Sequence, residues 1–388
     1  MEAQMLSVLL IYNKSSSSFP AYIWMLARDG MVAVDVLASK GHVVGVSRWK
    51  REAYEYASEQ EFSILLKERA QQGNYAAILC IDESSRNLFF EHCDEGWLQA
   101  YLPFPKGSPL FAACGDKVLF QQWCESHSIP APKADYAKNE SGVLEAAESI
   151  GYPLILKGAV GSRGVEVHRA ENAEEVKEFI ARSPHQQSWL VQEFIAGPVG
   201  STSIVCKEGK LYGVCSSYKY MSLSGGMGPS SIRRFLDDPE LIRIAERVAS
   251  VGQVSGITGY DWMEVSPGQY RVIDPHLGRG PSSVLVSHYN GVDMGRAFYA
   301  SLTDGPPEPL PDGDERIVWV MPQMIRIFFE GGFRWALKHA NPMRRDISIF
   351  WCGKGEWRVL LKLVVPYVFG QLRVKAGRVL RYLKGSRN

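Results

Sequence analysis

A single lysine followed by a glycine-bearing loop constrains this chain more than any other feature. The stretch runs from Tyr152 to Val167 and has the sequence YPLILKGAVGSRGVEV. The apolar run Leu154 to Leu156 predicts a buried strand that delivers Lys157 at its end, and a second short strand is expected from Val165 to Val167. Glycines let backbone N–H groups approach an anion, and the lysine adds a compact positive charge. We therefore predict a hairpin lid over phosphate groups, with an ordinary glycine-containing turn as the alternative.

The order of these residues differs from that of two well-known nucleotide-binding loops. A Walker loop ends in Gly-Lys-Ser/Thr, and a dinucleotide fingerprint is followed directly by a helix. Here the lysine precedes the glycines, and a strand is expected to follow them. The candidate phosphate-binding positions of this stretch are Lys157, Gly161, Ser162 and Gly164.

Length and composition narrow the class of protein. The 388 residues are enough for two or three domains, and 46% hydrophobic with 22% charged residues is typical of a globular protein. A formal net charge of +1 argues against a general nucleic-acid-binding protein. The seven cysteines include no Cys-x-x-Cys pair, which predicts reduced thiols and a cytoplasmic location. Neither a signal peptide nor an apolar stretch near the ~20 residues needed to span a bilayer is expected.

Strands and helices are predicted to alternate in the first part of the chain. Leu6–Tyr12 is an unbroken apolar run, typical of a parallel strand covered on both faces. The pattern then predicts a helix from Ala21 to Lys40, a strand at Val43–Val46, a helix from Glu59 to Gln72 and a strand at Tyr75–Ile81. This alternation indicates a doubly wound α/β domain.

Asp82, Glu83 and Ser84 follow the last of these predicted strands. Open α/β sheets bind ligands at such strand ends, but the same residues also suit the start of a capped helix. The segment from Pro103 to Pro109 is rich in proline and marks a boundary, so the first domain is predicted at residues 1–108.

The middle of the chain is predicted to mix both kinds of element. The expected segments are a helix from Lys117 to Glu125, a helix from Ser141 (as N-cap) to Ile150, a helix from Ala173 to Ala181, strands at Trp189–Ile195, Thr202–Cys206 and Leu211–Ser216, a loop from Ser222 to Ser231, and an amphipathic helix from Pro239 to Val254.

Two aspartates lie on either side of a predicted hairpin turn. The strand-like segments from Gly259 to Val265 and from Tyr270 to Arg279 are joined by Ser266-Pro-Gly268. Asp261 and Asp274 can therefore converge across the hairpin. Two carboxylates near a phosphate-binding lysine suit a Mg²⁺ ion that bridges phosphate oxygens, with solvated strand ends as the alternative.

The order of these motifs along the chain resembles that of the ATP-grasp superfamily, over roughly Phe111 to Leu302. The motifs are Asp-Lys117 with Ile-Pro-Ala-Pro132, Lys157 with its glycine loop, Gln-Glu193-Phe-Ile-Ala-Gly197, and Ile-Asp274-Pro-His276. The resemblance, which extends to carboxylate–amine ligases, carbamoyl-phosphate synthase large subunits and biotin-carboxylase-like proteins, implies a multidomain protein of the α/β and α+β classes. A doubly wound domain would precede an ATP-grasp domain at 109–310, with a lid-bearing part at 109–190 and a metal and substrate part at 191–310.

The resemblance also implies a role for each group of candidate residues, with ATP and Mg²⁺ as cofactors. Lys117 and Lys157 would contact the ATP phosphates, and the loop residues Gly161, Ser162 and Gly164 would close over them. Adenine and ribose would be held by Glu193, Phe194 and Ile195. The metal would be surrounded by Asp261, Asp274 and His276.

The metal motif departs from the family pattern. Most relatives have Glu-x-Asn-x-Arg where this chain has Asp274-Pro-His276-Leu-Gly278, and the arginine comes one residue late, at Arg279. Imidazole suits Mg²⁺ less well than an amide oxygen, so Mn²⁺ is an alternative metal, and phosphate or substrate is an alternative partner for His276. The alternative to an enzyme is therefore a nucleotide-binding relative without catalytic activity that acts as a membrane-associated scaffold or regulator.

The activity implied by the resemblance is ATP-dependent joining of a carboxylate to an amine through an acyl phosphate. Arg279 is the candidate catalytic residue beside Lys157, because its planar fork can pair with a carboxylate or phosphate, and a surface salt bridge is the alternative. Arg233 and Arg234 are expected to border the acceptor site, unless they follow a plain surface loop. A biotin-dependent carboxylase is disfavoured, since the chain has no Met-Lys-Met stretch.

The C-terminal region, predicted at 311–388, differs in charge from the rest of the chain. From Met321 to Asn388 it has fourteen Lys and Arg against three acidic residues, interleaved with apolar ones. We predict basic amphipathic helices and a peripheral contact with an anionic membrane surface. The alternatives are packing on the core, a subunit interface such as that of a homodimer, and an RNA contact. Trp351, Trp357, Tyr367 and Tyr382 suit lipid better than nucleic acid.

Overall fold

The structure is a computed structural model that describes residues 5–13, 20–160, 166–222, 230–310, 316–351 and 353–385. Three sheets organise these residues: a parallel sheet of four strands, an antiparallel sheet of four, and a mixed sheet of seven. The candidate functional residues lie mainly on the second and third of them.

The first sheet has the strand order β3-β2-β1-β4, with every neighbouring pair parallel. Its strands and the helices that follow them are β1 (Leu6–Tyr12), α1 (Ala21–Ala27), β2 (Val32–Ser39), β3 (Lys50–Tyr56), α2 (Glu59–Gln72), β4 (Ala77–Cys80) and α3 (Glu83–Phe90). Central strand β1 is fully buried from Val8 onward, which is why its sequence is an unbroken apolar run.

Two predictions in this region are wrong. The helix expected from Ala21 to Lys40 ends at Ala27, because the chain turns at Gly30, which has a φ of +73°, and then enters strand β2. The strand expected at Val43–Val46 is a short 3₁₀ helix. The strand beside β2 is instead β3, an edge strand whose charged residues conceal its apolar pattern.

The second sheet has the order β5-β8-β6-β7, and all of its pairs are antiparallel. Its elements, with the two helices that precede it, are α4 (Pro109–Ala113), α5 (Lys117–Ser126), β5 (Ala134–Ala137), α6 (Glu140–Ile150), β6 (Leu154–Gly158), β7 (Val167–Ala170), α7 (Ala173–Arg182) and β8 (Trp189–Glu193). The predicted N-cap of α6, Ser141, is wrong. Asn139 caps this helix, and its side-chain oxygen accepts a hydrogen bond from the Gly142 N–H at 2.8 Å.

The third sheet has the order β13-β12-β9-β10-β11-β14-β15. Its elements are β9 (Val199–Lys207), β10 (Lys210–Ser222), β11 (Ser230–Leu236), α8 (Pro239–Gly252), β12 (Gly256–Ser266), β13 (Gln269–Pro275), α9 (Met294–Thr303), β14 (Ile317–Val320) and β15 (Ile347–Phe350). The predicted hairpin of Thr202–Cys206 with Leu211–Ser216 is present as β9 and β10. So is the predicted aspartate hairpin, as β12 and β13.

The C-terminal region contains strands as well as the predicted helices. Its helices are α10 (Met321–Glu330), α11 (Phe333–His339) and α12 (Trp357–Gly385). The short apolar runs that form β14 and β15 pair with each other in parallel and extend the third sheet. The prediction that this region is entirely helical is therefore wrong. Among the described residues, no helix is long and apolar enough to cross a membrane.

Hydrophobic packing joins the first and third sheets. One buried cluster includes Val8 and Leu10 of β1, Val205 of β9, and Phe298 of α9. The second sheet has its own core around Leu154, Leu156 and Trp189. The second and third sheets meet where Lys157, on β6, donates a hydrogen bond from Nζ to the backbone oxygen of Ile273 on β13 (2.9 Å). The predicted candidate site lies at this junction.

Candidate functional site

The β12–β13 hairpin places two aspartates directly opposite each other. Asp261 pairs with Asp274 in the strand register, and His276 follows two residues later. The backbone N–H of His276 donates to the oxygen of Gly259 (2.9 Å), which holds the residue against β12. Gly259 itself passes so close to β9 that an added Cβ would lie 2.4 Å from the Thr202 oxygen. The predicted convergence of the two aspartates is confirmed.

The three predicted metal ligands form one cluster. His276 Nε2 lies 3.5 Å from Asp261 Oδ2 and 3.9 Å from Asp274 Oδ2, and the three candidate ligand atoms are within 4.8 Å of one another. Asp261 is buried, and within the described part of the chain its Oδ1 has no hydrogen-bond partner. A buried carboxylate oxygen without a donor is costly unless a ligand pairs with it. The cluster therefore fits a divalent cation.

A lysine that the sequence did not single out neutralises this cluster. Lys219, on β10, donates from Nζ to Asp261 Oδ2 at 2.5 Å. Burial alone would raise the pKa of Asp261, but His276 and Lys219 together hold it well below its usual range. Asp261 is therefore a charged carboxylate whose negative charge is balanced by a protein cation. The available signal was a lysine between two tyrosines, in a strand that was predicted to end at Ser216.

Arg233 provides a second buried cation beside Asp261. It lies on β11, only 3% exposed, and its Nη1 donates to the hydroxyls of Ser201 (2.8 Å) and Ser217 (3.0 Å). Burial lowers the pKa of Arg233 to about 10, and the nearby charge of Asp261 opposes that change. Its neighbour Arg234 instead lies over the Tyr218 ring, 4.9 Å from the ring centre.

Most of the predicted loop from Ser222 to Ser231, at 223–229, lies outside the described residues.

The two predicted phosphate-binding lysines approach the same cluster from the second sheet. Lys157 is 6% exposed, and burial lowers its pKa to about 8, with Lys117 acting in the same direction and Asp274 and Asp261 opposing. Lys117 is the first residue of α5, and its N–H donates to the oxygen of Ala159 (2.9 Å), just beyond β6. Lys117, Asp261 and Asp274 are thus all in the electrostatic surroundings of Lys157.

The base of the predicted lid is anchored by a glutamine. Gln186 donates from Nε2 to the Val160 oxygen (2.6 Å), and its Oε1 accepts from the Val160 N–H (3.3 Å). The predicted lid residues Gly161, Ser162 and Gly164 themselves lie outside the described residues.

The predicted adenine and ribose segment lies at the end of β8. Glu193 exchanges two contacts with Lys133: its Oε1 accepts from the Lys133 N–H (2.9 Å), and its own N–H donates to the Lys133 oxygen (3.0 Å). Phe194 faces the guanidinium of Arg169 at 4.1 Å, and Ile195 is buried. One carboxylate oxygen of Glu193 thus already accepts a hydrogen bond from the backbone of Lys133. The role of this segment in binding adenine and ribose stays a prediction.

Arg279 connects the site to the first sheet. It follows Gly278, whose φ is +69°, and is half-buried; its Nε is buried without a hydrogen-bond partner in the described ranges. Burial lowers the pKa of Arg279, with Glu83 opposing and Arg86 reinforcing that effect. Arg86 donates from Nη1 to the oxygens of Cys114 (2.7 Å) and Leu277 (3.3 Å). The start of α3 therefore borders the candidate site.

Asp82 itself acts as a helix cap. Its carboxylate accepts hydrogen bonds from the N–H of Asn13 (2.8 Å), the hydroxyl of Ser84 (2.6 Å) and the N–H of Ser85 (2.9 Å). Ser85 completes a capping box by accepting from the Asp82 N–H (3.1 Å). The capped-helix interpretation of this segment is confirmed.

Comparison with known proteins finds a family match for the middle of the chain. Residues 114–274 match the family model for an ATP-grasp domain. One relative is LysX, an alpha-aminoadipate–LysW ligase from Saccharolobus solfataricus, which is 29% identical over 91 residues. That alignment covers 22% of this chain and 33% of LysX, so the matched stretch spans only a third of the relative's length.

Solved structures resemble nearly the whole fold. The biotin carboxylase domain of the Hydrogenobacter thermophilus 2-oxoglutarate carboxylase superposes with a TM-score of 0.61 at 14% identity, covering 81% of this chain and 74% of that one. An L-amino acid ligase from Bacillus licheniformis gives 0.57 at 15% identity, covering 77% and 74%. At these identities the likeness shows the fold alone. The match over residues 114–274 supports the ATP-grasp superfamily for this part of the chain.

Proposed function

We propose that this protein is an ATP-dependent ligase that activates a carboxylate as an acyl phosphate and joins it to an amine. One observation carries the proposal: Asp261, Asp274 and His276 form a cluster of metal-ligand type beside Lys117 and Lys157 in an ATP-grasp domain. Phosphoryl transfer depends mainly on positioning and charge neutralisation, and this arrangement can provide both.

Asp261, Asp274 and His276 would hold Mg²⁺, or Mn²⁺ given the imidazole. Bound there, the ion would neutralise phosphate oxygens during transfer. The two hard carboxylates and the partnerless Asp261 Oδ1 support this assignment. Lys219 occupies the other oxygen of Asp261, and we propose that it shifts toward the anionic substrate when a cation binds.

Lys157 and Lys117 would bind the phosphates. Lys157 donates a hydrogen bond to the backbone oxygen of Ile273, next to Asp274. It would therefore connect the second sheet to the β12–β13 hairpin that carries the two aspartates. Gly161, Ser162 and Gly164 would close over the phosphates and keep water from the acyl phosphate. Glu193, Phe194 and Ile195 would contact adenine and ribose.

Arg279 would bind the substrate carboxylate or the acyl phosphate. Its partnerless buried Nε and its position between the metal hairpin and Glu83 support this role. Lys219 and Arg233 extend the positive charge on the opposite side of Asp261, along β10 and β11. We propose that they attract the acceptor or the transferred phosphoryl group.

Two similar proteins are an alpha-aminoadipate–LysW ligase and an L-amino acid ligase, and their ligase activity on amino acids supports the proposal of C–N bond formation. The six described cysteines are all unpaired, which supports a cytoplasmic reaction.

The competing function is nucleotide binding without ligation. The departure at His276 from the family's asparagine favours it, because imidazole is the weaker partner for Mg²⁺.

ADP release distinguishes the two functions. Purified protein is incubated with ATP, Mg²⁺ and pairwise combinations of amino acids and small carboxylates, and ADP is measured with a coupled assay. We expect release that needs both a carboxylate and an amine and that is lost in Asp274→Asn. ATP binding without substrate-stimulated turnover, unaffected by Asp274→Asn, would contradict the ligase.

A further inference from the structure

Exposed hydrophobic side chains concentrate in the C-terminal region. Of the sixteen large hydrophobic residues that are exposed in the described part of the chain, nine lie between residues 321 and 388. These nine are Phe328, Trp335, Leu337, Met343, Trp351, Trp357, Leu361, Val365 and Phe369. Under a fifth of the sequence thus carries more than half of the large exposed hydrophobic side chains in the described part of the chain.

Helix α12 has apolar residues on two different faces. The inner face packs on the protein: Val359 is fully buried in the main core, Leu363 packs against that core, and the Tyr367 ring lies 6.0 Å from that of Phe329. A soluble surface helix normally has polar residues on the remaining face.

The outer face of α12 carries a regular apolar stripe instead. Trp357, Leu361, Val365 and Phe369 recur every fourth residue and are 60%, 50%, 40% and 61% exposed. Side chains four residues apart are neighbours on a helix surface, so these four form a stripe about 18 Å long that turns by about 40° at each step. Pro366 lies inside the helix between the last two of them. In the described part of the chain, packing does not cover this row.

Basic residues flank this outer stripe. Arg358, Lys362 and Arg373 are exposed on the same helix, and the Arg358 guanidinium lies 5.2 Å from the centre of the Trp357 ring. Lysine and arginine can extend their charged ends beside an apolar row that is buried at a water–lipid boundary. Between Met321 and Asn388 the sequence contains fourteen basic residues and only three acidic ones.

We propose that α12 lies along an anionic lipid surface, with the outer stripe of Trp357, Leu361, Val365 and Phe369 inserted between head groups. The combination of an apolar row, an aromatic residue at each end and flanking cations is that of an interfacial helix. Anionic lipid satisfies both features at once: acyl chains cover the row and head groups pair with the cations. RNA would pair with the cations but leave the row exposed. A second copy of this helix would cover the row but bring like charges together.

Vesicle flotation with the full chain tests the proposal. The probes are vesicles of phosphatidylglycerol mixed with phosphatidylcholine, and vesicles of phosphatidylcholine alone. The test variant is Leu361→Glu with Phe369→Glu. The matched control is Ile64→Glu with Val265→Glu, two residues that are similarly exposed (52% and 48%) but lie on other elements. Circular dichroism and the thermal unfolding midpoint establish that each variant is folded.

The wild type and the control should float with phosphatidylglycerol vesicles, and the test variant should bind them at least about tenfold more weakly. Pure phosphatidylcholine should retain much less protein. Equal flotation of wild type and test variant would overturn the proposal, as would failure of the wild type to float. Light scattering that finds a wild-type dimer, with monomer in the test variant, would assign the stripe to a subunit interface instead. RNA binding without vesicle binding would assign the surface to nucleic acid. None of these results depends on ligase activity.

Discussion

Two acidic segments of this protein have similar positions near the ends of strands, but their aspartates have different hydrogen-bond partners. Asp82 and Glu83 follow strand β4 of the first sheet, and Asp274 lies near the end of strand β13 of the third, just before His276. The Asp82 carboxylate accepts three hydrogen bonds from Asn13, Ser84 and Ser85. Asp261, opposite Asp274, keeps one buried oxygen without a donor and pairs the other with Lys219.

The difference shows how a capping carboxylate differs from a candidate ligand carboxylate. A helix cap fills the lone pairs of an aspartate with local N–H and O–H donors. At the candidate site, Lys219 pairs with one oxygen of Asp261, and the other oxygen has no donor among the described residues. The burial of Asp82 and Asp261 is nearly the same, at 4% and 7% exposure, so burial alone would not separate them.

The largest expected effect is on ATP turnover, when an aspartate of the β12–β13 hairpin is replaced and the result is compared with replacement of Asp82. Asp261→Asn or Asp274→Asn should lower ATP turnover by at least about a hundredfold, since metal stabilisation of transferred phosphoryl groups is worth several kcal/mol. Asp82→Ala should leave turnover within about threefold and lower the free energy of unfolding by about 1 kcal/mol, as for other lost caps. ADP release and urea denaturation measure the two outcomes. Comparable turnover losses in all three variants would erase the distinction.

Lys157→Met tests the cationic side of the same site. Loss of a charged hydrogen bond to phosphate should weaken ATP binding by about tenfold or more at pH 7. The pKa of Lys157 is about 8 rather than its ordinary 10.5, so the free wild type loses this charge, and ATP affinity, as the pH rises through 8. Calorimetric titration of ATP from pH 6.5 to 9.5 measures the effect. The variant should lack this component of the pH dependence.

Raising the pH through 8 should lower ATP affinity but should increase the contribution of Lys157 to folding stability. Because the folded protein depresses the pKa of a cation, the unfolded chain binds more protons between pH 8 and 10.5. The contribution of Lys157 to stability therefore rises with pH over that range and is unfavourable below it. Lys157→Met should raise the free energy of unfolding at pH 7 while weakening ATP binding. A variant that loses both stability and affinity would indicate a structural role for the lysine.

A smaller effect is expected from freeing Asp261. Lys219→Met removes the cation that occupies Oδ2, so Mn²⁺ should bind the nucleotide-free protein about tenfold more tightly, given the usual strength of a charged hydrogen bond. Electron paramagnetic resonance of free Mn²⁺ measures this affinity. The matched control is Lys207→Met, which breaks an exposed pair with Asp304 and should change nothing. Weaker Mn²⁺ binding in Lys219→Met would contradict competition between the lysine and the metal.

The smallest change concerns the choice of metal. His276→Asn restores the amide of the family pattern, and it should raise the ratio of Mg²⁺- to Mn²⁺-supported turnover by a few fold, since Mg²⁺ prefers oxygen. The ratio is read from ADP release with each metal at saturation. An unchanged ratio would place His276 outside the metal's coordination and favour a contact with phosphate or substrate.

Much of this site could be predicted because its residues lie in short local motifs. Lys157 ends an apolar strand, and Asp261 and Asp274 face each other across one hairpin turn, so sequence spacing alone predicts their convergence. Lys219 and Arg233 could not be found in this way. They reach Asp261 from β10 and β11, across β9, and only the strand order of the sheet brings them there.

The errors in the fold have a similar origin. Val32–Ser39 has no strict alternation because β2 is buried on both faces, and periodicity cannot separate such a run from a buried helix. The Asp29-Gly30 turn was the local signal that α1 had ended. Strands β3 and β15 lie at sheet edges, where charged or short sequences suffice and the apolar pattern is weak.

The most direct test of the metal–nucleotide site counts bound Mn²⁺ in the presence of saturating ADP, by electron paramagnetic resonance, in the wild type and in the Asp261→Asn, Asp274→Asn double variant. We expect a nucleotide-dependent Mn²⁺ site in the wild type that disappears in the double variant, while Asp82→Ala keeps it. Undiminished Mn²⁺ binding in the double variant would contradict the assignment of the β12–β13 hairpin as the metal site.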